Sequence, residues 1–302
     1  MESVYLRSRR EFLVRNQNSD GGWGYFPGKQ SWLEPTAYGI LALQGDPAVE
    51  AVTRKALKLV LGWQNSDGSF RPAAAVASPS WTTALGVTLA SISGQTGPAT
   101  RGVDYLLQIH GTEADDWLSK VISKLLPQVA LDRDPSLLAW PWRPNATSWI
   151  EPTAHAILAL KLAAHSSPRP SLAQRVDLGQ RMILSLRCKD GGWNYGSRSA
   201  LAVELPSYPE TTAIALLGLT GRSASEMKSP LEYARKLAAA AQAPLASAWL
   251  RVSLALHGAP MAPPDPNQAV ASNDILLAAV EALGAEGGNA HLLAPSNGDR
   301  KS

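Results

Sequence analysis

Gln17-Asn18-Ser19-Asp20-Gly21-Gly22-Trp23, followed by Trp32-Leu33-Glu34-Pro35-Thr36-Ala37, is the stretch on which the fold is decided. Asp-Gly and Gly-Gly supply the positive backbone dihedrals of a tight turn. Before the turn, Tyr5 to Arg15 is helical in composition. After it, a carboxylate and a proline open a first helical turn at Glu34-Pro35, and Tyr38-Gly39-Ile40-Leu41-Ala42-Leu43 continues apolar on nearly every side. The unit reads as helix, glycine turn, buried helix.

The unit recurs, and recurrence at a fixed period decides architecture before single residues do. Gln64-Asn65-Ser66-Asp67-Gly68-Ser69-Phe70 repeats the turn, and Trp81-Thr82-Thr83-Ala84 opens the next apolar helix. From Gln17 to Gln64 and from Glu34 to Trp81 the step is the same 47 residues. Trp149-Ile150-Glu151-Pro152-Thr153-Ala154-His155-Ala156 opens a third inner helix, nearly a copy of the first. A fourth unit has Lys189-Asp190-Gly191-Gly192-Trp193 and then Tyr208-Pro209-Glu210-Thr211-Thr212-Ala213, and a fifth keeps only a helix pair, whose inner helix opens with Leu245-Ala246-Ser247-Ala248-Trp249. Periodicity alone predicts an all-α repeat protein.

These turns resemble the prenyltransferase and squalene-cyclase repeat, which carries Gln, Gly and Trp at the spacing of Gln17, Gly21 and Trp23. The resemblance spans about residues 5 to 257. It implies an α/α toroid of about five to six helix hairpins, with outer helices around inner ones and a central cavity. The reading is one toroid domain over residues 1–284, with an insertion at about 111–148 holding a short amphipathic helix at Asp115 to Leu126. A last helix at 267 to 283 is left unpaired. Residues 285–302 have the composition of a disordered tail.

Composition fits a helical ring: 45% of the 302 residues are hydrophobic and only 18% charged. A net charge of +3 with no Lys/Arg run argues against a nucleic-acid partner. Cys188 is the single cysteine, which excludes a disulfide framework, and Met1 to Arg10 is too polar for a secretory core. The expected location is the cytoplasm.

Chemistry is harder to read. In class II terpene cyclases of this family the acid lies in an Asp-x-Asp-Asp-Thr-Ala motif at the start of an inner helix. Thr36-Ala37, Thr153-Ala154 and Thr212-Ala213 match its end, which makes Glu34, Glu151 and Glu210 the candidate catalytic residues. Their flanking carboxylates are missing: Trp32, Trp149 and Tyr208 precede them, and Pro35, Pro152 and Thr211 follow. A lone Glu there should have a raised pKa, which disfavours alkene protonation. The plain alternative is that each carboxylate satisfies backbone N–H groups and opposes the helix dipole, for ~0.3–1 kcal/mol.

Glu113-Ala114-Asp115-Asp116-Trp117 resembles the acid motif only superficially and reads as a solvated helix start. Protein prenyltransferases of the family hold zinc with Asp-Gly-Cys and a distant His. Gly192 stands in the Cys position here, so no metal and no cofactor is expected. The candidate substrate-binding residues are Trp32, Trp81, Trp149, His155, Tyr208 and Trp249, at or near inner-helix starts, where aromatic faces suit a polyprenyl or triterpenoid chain. The expected partner is a hydrophobic isoprenoid small molecule. A peripheral membrane contact, a protein partner, a homo-oligomer and a purely non-catalytic role stay open.

Overall fold

The computed structural model describes residues 3–114, 134–200, 203–262 and 272–294. Six helices form the inner layer of an all-α toroid: α2 (Leu33–Leu43), α4 (Thr83–Ile92), α6 (Ile150–Ser166), α8 (Pro209–Gly218), α10 (Pro244–Leu256) and α11 (Ile275–Gly284). Each packs on the next, and α11 packs back on α2, so the circuit closes. In α2 every residue except Glu34 is buried. A helix apolar on all sides needs protein all round it, and the inner layer is the one place that offers it. Leu41 and Leu158, which the ring requires inside, are both buried.

The outer layer holds α1 (Val4–Arg15), α3 (Glu50–Leu61), α5 (Thr96–Gln108), α7 (Pro170–Ser185) and α9 (Ala224–Ala240). These helices are amphipathic; α3 buries only Thr53, Ala56 and Val60, a stripe of three- and four-residue steps. Such a stripe fits a seam between two inner helices. Accordingly α3 lies over α2 and α4, α5 over α4 and α6, and α9 over α8 and α10.

The unpaired last helix of the sequence reading finds its partner here. Its described part, α11, is the sixth inner helix, and its outer neighbour is α1 from the other end of the chain. Glu281 of α11 meets Arg9 of α1 at 3.5 Å. Counting hairpins along the sequence misses this pair because its two members are the chain's first and last helices.

The reading of residues 285–302 as a disordered tail is corrected for its first part. Ala290–Leu293 forms a 3₁₀ turn that packs on α10, and Leu293 is buried. Asn289 Nδ2 donates to the carbonyls of Leu41 at 3.0 Å and Gln44 at 2.7 Å. The last carbonyls of a helix have no partner within it, and Asn289 supplies one for α2. Residues 295–302 and the helix expected at Asp115 to Leu126 lie outside the described residues.

The glycine turns hold the two layers in register. Gln17 Nε2 donates to Gly21 O at 2.8 Å and to Val52 O of α3 at 2.9 Å, and Gln64 does the same toward Gly68 and Pro98. Gly21 has φ 100°, and a Cβ there would lie 2.7 Å from Lys55 Cγ. The backbone N–H of Trp23 donates to Thr36 Oγ1 at 2.9 Å, as do Phe70 to Thr83 at 3.0 Å, Trp140 to Thr153 at 3.1 Å and Trp193 to Thr212 at 3.0 Å. Trp140 therefore belongs to the third turn, and the repeat resumes there, inside the stretch read as insertion 111–148. Glu113 is not a solvated helix start: its carboxylate accepts the Ser148 N–H at 3.1 Å. Asp190 of the fourth turn binds the Ser207 N–H in the same manner.

Candidate functional site

One end of the ring collects the starts of the inner helices, and the loops after the glycine turns seal them. Leu33 N–H donates to Pro72 O at 2.8 Å, Trp81 to Trp142 O at 2.9 Å, Ile150 to Tyr195 O at 3.0 Å and Ile275 to Tyr25 O at 2.9 Å. Each acceptor is the second residue after a turn aromatic, and each serves the helix of a neighbouring repeat. The first orphan N–H of α2, α6 and α11 is thus met by backbone. No side-chain hydrogen bond caps α2, α6 or α8. The hydrogen-bonding half of the capping role expected for the three glutamates is corrected accordingly; only their placement against the helix dipole remains.

Glu34, Glu151 and Glu210, at the starts of α2, α6 and α8, interact electrostatically: Glu210 acts on Glu34, and both act on Glu151. Glu34 accepts the Tyr25 hydroxyl at 2.5 Å. Burial raises the pKa of Glu34, the Tyr25 hydrogen bond opposes that, and Glu210 and Asp274 raise it further. Glu151 is pushed up to about 8, first by burial and then by Glu34 and Glu210. Burial also raises Glu210. Glu151 has no hydrogen-bond partner among the described residues. Its electrostatic influence reaches Tyr25 in the loop after the first turn, Tyr38 of α2 and Tyr195 in the loop after the fourth turn. Among the described residues, no group of three or more His, Cys, Asp or Glu side chains is gathered closely enough to hold a metal ion.

One helical turn deeper lies an aromatic floor. Tyr38 of α2, His155 of α6 and Trp249 of α10 are 1%, 1% and 3% exposed. Their rings meet across the axis: Tyr38 to Trp249 at 5.2 Å, Tyr38 to His155 at 6.3 Å and His155 to Trp249 at 6.2 Å. These helices are alternate members of the ring, so the contact closes its centre. Trp81 adds a face 5.0 Å from His155 and stands edge-on to Trp142 at 5.3 Å. Burial lowers the pKa of His155 to about 3, so its imidazole is neutral.

Of the residues singled out from sequence, Trp81, His155 and Trp249 converge in this floor. Trp32 caps α2 with its ring 6.3 Å from Tyr25, Trp149 caps α6, and Tyr208 caps α8 with its ring 5.2 Å from Tyr195. Sequence reasoning misses Tyr25, Trp142 and Tyr195, whose one signal is their shared place two residues past a turn aromatic. It also misses Asp274, the N-cap of α11.

No protein-family model matches the chain. A segment of 65 residues, 22% of the chain, is 37% identical to drimenyl diphosphate synthase of Streptantibioticus cattleyicolor and covers 12% of that protein. Among solved structures, a variant of type II terpene cyclase MstE from Scytonema in complex with geranylgeranyl dihydroxybenzoate superposes with a TM-score of 0.57 at 14% identity, over 96% of each chain. Endo-β-1,4-glucanase CMCax from Acetobacter xylinum superposes at 0.60 and 11% identity, over 96% of this chain and 97% of that one. At such identities the likeness is one of fold, shared by a terpene cyclase and a glycosidase.

Proposed function

We propose that the chain binds an isoprenoid-type hydrophobic small molecule at the mouth of the ring, its hydrocarbon part against the aromatic side chains and its polar end against Glu34, Glu151 and Glu210. The observation that carries this reading is the distribution of exposed apolar side chains. Among the large hydrophobics left exposed in the described residues, Tyr195 at 45% and Tyr208 at 43% have ring centroids 5.2 Å apart at the start of α8, and Phe26 at 51% follows Tyr25, whose hydroxyl donates to Glu34. Exposed aromatics grouped around an opening with buried polar groups beneath are the pattern of a site for an amphiphilic ligand. The terpene cyclase likeness and the short match to drimenyl diphosphate synthase point the same way.

The electrostatics support binding over alkene protonation. A carboxyl raised to about 8 keeps its proton at neutral pH but releases it poorly, the opposite of what a strong acid needs. Native mass spectrometry after incubation with squalene, prenyl alcohols and prenyl diphosphates of several lengths tests the reading. A retained ligand of unchanged mass is expected; an altered mass would make the toroid an enzyme, and no retained ligand of any kind would refute the proposal.

A further inference from the structure

A groove of about 650 Å³ runs between α6 and α7, toward the end of the ring opposite the mouth. Sites for small molecules usually have ~300–1,000 Å³. Lys161 in its wall stands ten residues beyond Glu151 on α6, about 15 Å along the axis, so the groove is separate from the mouth. Its lining is mostly apolar: Leu160 and Leu172 are buried, and Ala164, Pro168, Ala173 and Val176 complete it. Polar heads gather at one end. Lys161 Nζ donates to the carbonyls of Thr220 and, at 3.4 Å, Gly218, and the buried Gln180 donates to the same pair at 3.3 and 2.8 Å. From Gln180 back to Leu172, α7 runs for eight residues, about 12 Å, toward the Pro168-Arg169-Pro170 turn.

The charges around the groove leave one cation over. Arg169 at the far end is paired with Asp104 at 2.7 Å. Asp177, the one carboxylate in the lining, lies between Arg181 at 3.7 Å and Arg222 at 3.9 Å, and Arg222 also reaches Glu226 at 3.8 Å. Lys161 makes no ion pair among the described residues. Burial, and then the like charge of Arg222, bring its amine down to about 8. An ammonium carries three N–H donors, and the two carbonyls leave one of them free. A carboxylate there would neutralise a half-buried cation through a charge-assisted hydrogen bond, and a hydrocarbon chain behind it would cover the apolar lining. We propose that this groove binds a single-chain amphiphile with a carboxylate head, a free fatty acid in chemical class, its head on Lys161 and its chain running between α6 and α7 toward the Pro168-Arg169-Pro170 turn.

The test is isothermal titration calorimetry of the full chain at neutral pH with laurate, dodecanol and dodecylammonium, each below its micellar concentration. Laurate is expected to bind at least about tenfold more tightly than dodecanol, and dodecylammonium more weakly than either. Lys161→Met keeps the length of the stem and removes the charge, so it should bring laurate down to the affinity of dodecanol. Ala173→Trp fills the groove from an exposed position on α7 and should weaken laurate at least about tenfold. As a surface change, it keeps the test alive if the Lys161 variant fails to fold. Dodecanol or dodecylammonium binding as tightly as laurate would overturn the proposal. So would laurate affinity retained in full by either folded variant, or no binding of laurate at all.

Discussion

Glu151→Gln should stabilise the protein at alkaline pH and leave it nearly unchanged at acid pH. The native carboxyl titrates at about 8 against an ordinary value of 4.5. Between those two pH values the folded chain keeps a proton that the unfolded chain has released, so stability falls as pH rises through this window and levels off above it. At about 1.4 kcal/mol per pH decade the full loss is at most roughly 5 kcal/mol, and roughly 3 kcal/mol after discounting for the partial exposure of the rim. The groups facing Glu151 reinforce the sign. Glu34 on α2 and Glu210 on α8 are raised in the same direction, and Tyr25, Tyr38 and Tyr195 bring no positive charge. Urea unfolding of both proteins at about pH 5 and about pH 8.5 measures the effect. The wild-type protein should lose roughly 2 to 4 kcal/mol more than the variant over that interval. Parallel losses would refute the argument, because Glu151 would then be ionised in the folded chain like any surface carboxylate.

Three further outcomes are expected. Thr153→Val removes the acceptor of the buried Trp140 N–H and should cost ~1–3 kcal/mol in thermal or denaturant unfolding, as should the equivalent change at Thr36. Asn289→Ala strips the carbonyls at the end of α2 of their donor and should lower the melting temperature, whereas a disordered tail would tolerate the change without effect. Tyr25→Phe deletes the hydroxyl that opposes the rise at Glu34, so the Glu34 carboxyl should titrate at still higher pH; NMR titration of labelled glutamate side chains reads the direction, and a fall would contradict the geometry.

How much of this was legible in the sequence depends on the kind of signal. The inner helices and the turns are local and repeated: Thr36, Thr83, Thr153 and Thr212 each follow a helix start, and each binds its own turn aromatic. Glu34, Glu151 and Glu210 are recognisable as a set for the same reason. Tyr25, Trp142 and Tyr195 are not, because their position is set by a hydrogen bond to another repeat's helix and not by neighbours in sequence. The third turn is obscured by the segment between Leu106 and Trp140, which separates an indole from its carbonyl acceptor by 34 residues where Trp23 and Leu13 are 10 apart. Closure of the ring by α1 and α11 is a contact between chain ends and has no local signature.

The register of the inner helices also limits how deep a ligand can go. Glu34, Trp81, Glu151, Glu210, Leu245 and Leu276 occupy one level of the ring, and four residues further on each helix come Tyr38, Leu85, His155, Ile214, Trp249 and Val280. At this lower level large rings alternate with smaller aliphatic side chains around the circuit, and all six residues are buried. Alternation of large and small side chains is how facing positions fill a shared space without voids, and the Tyr38, His155 and Trp249 contacts show the axis filled. A ligand that enters between the helix starts therefore meets the floor after one helical turn, about 5 Å. Only its polar end and the first carbons can be held there. The remainder of an isoprenoid chain would lie across the rim, where Phe26, Tyr195 and Tyr208 stand exposed. Chain length would then be read by the rim, so changes at Tyr195 or Tyr208 should alter the preference for ligand length.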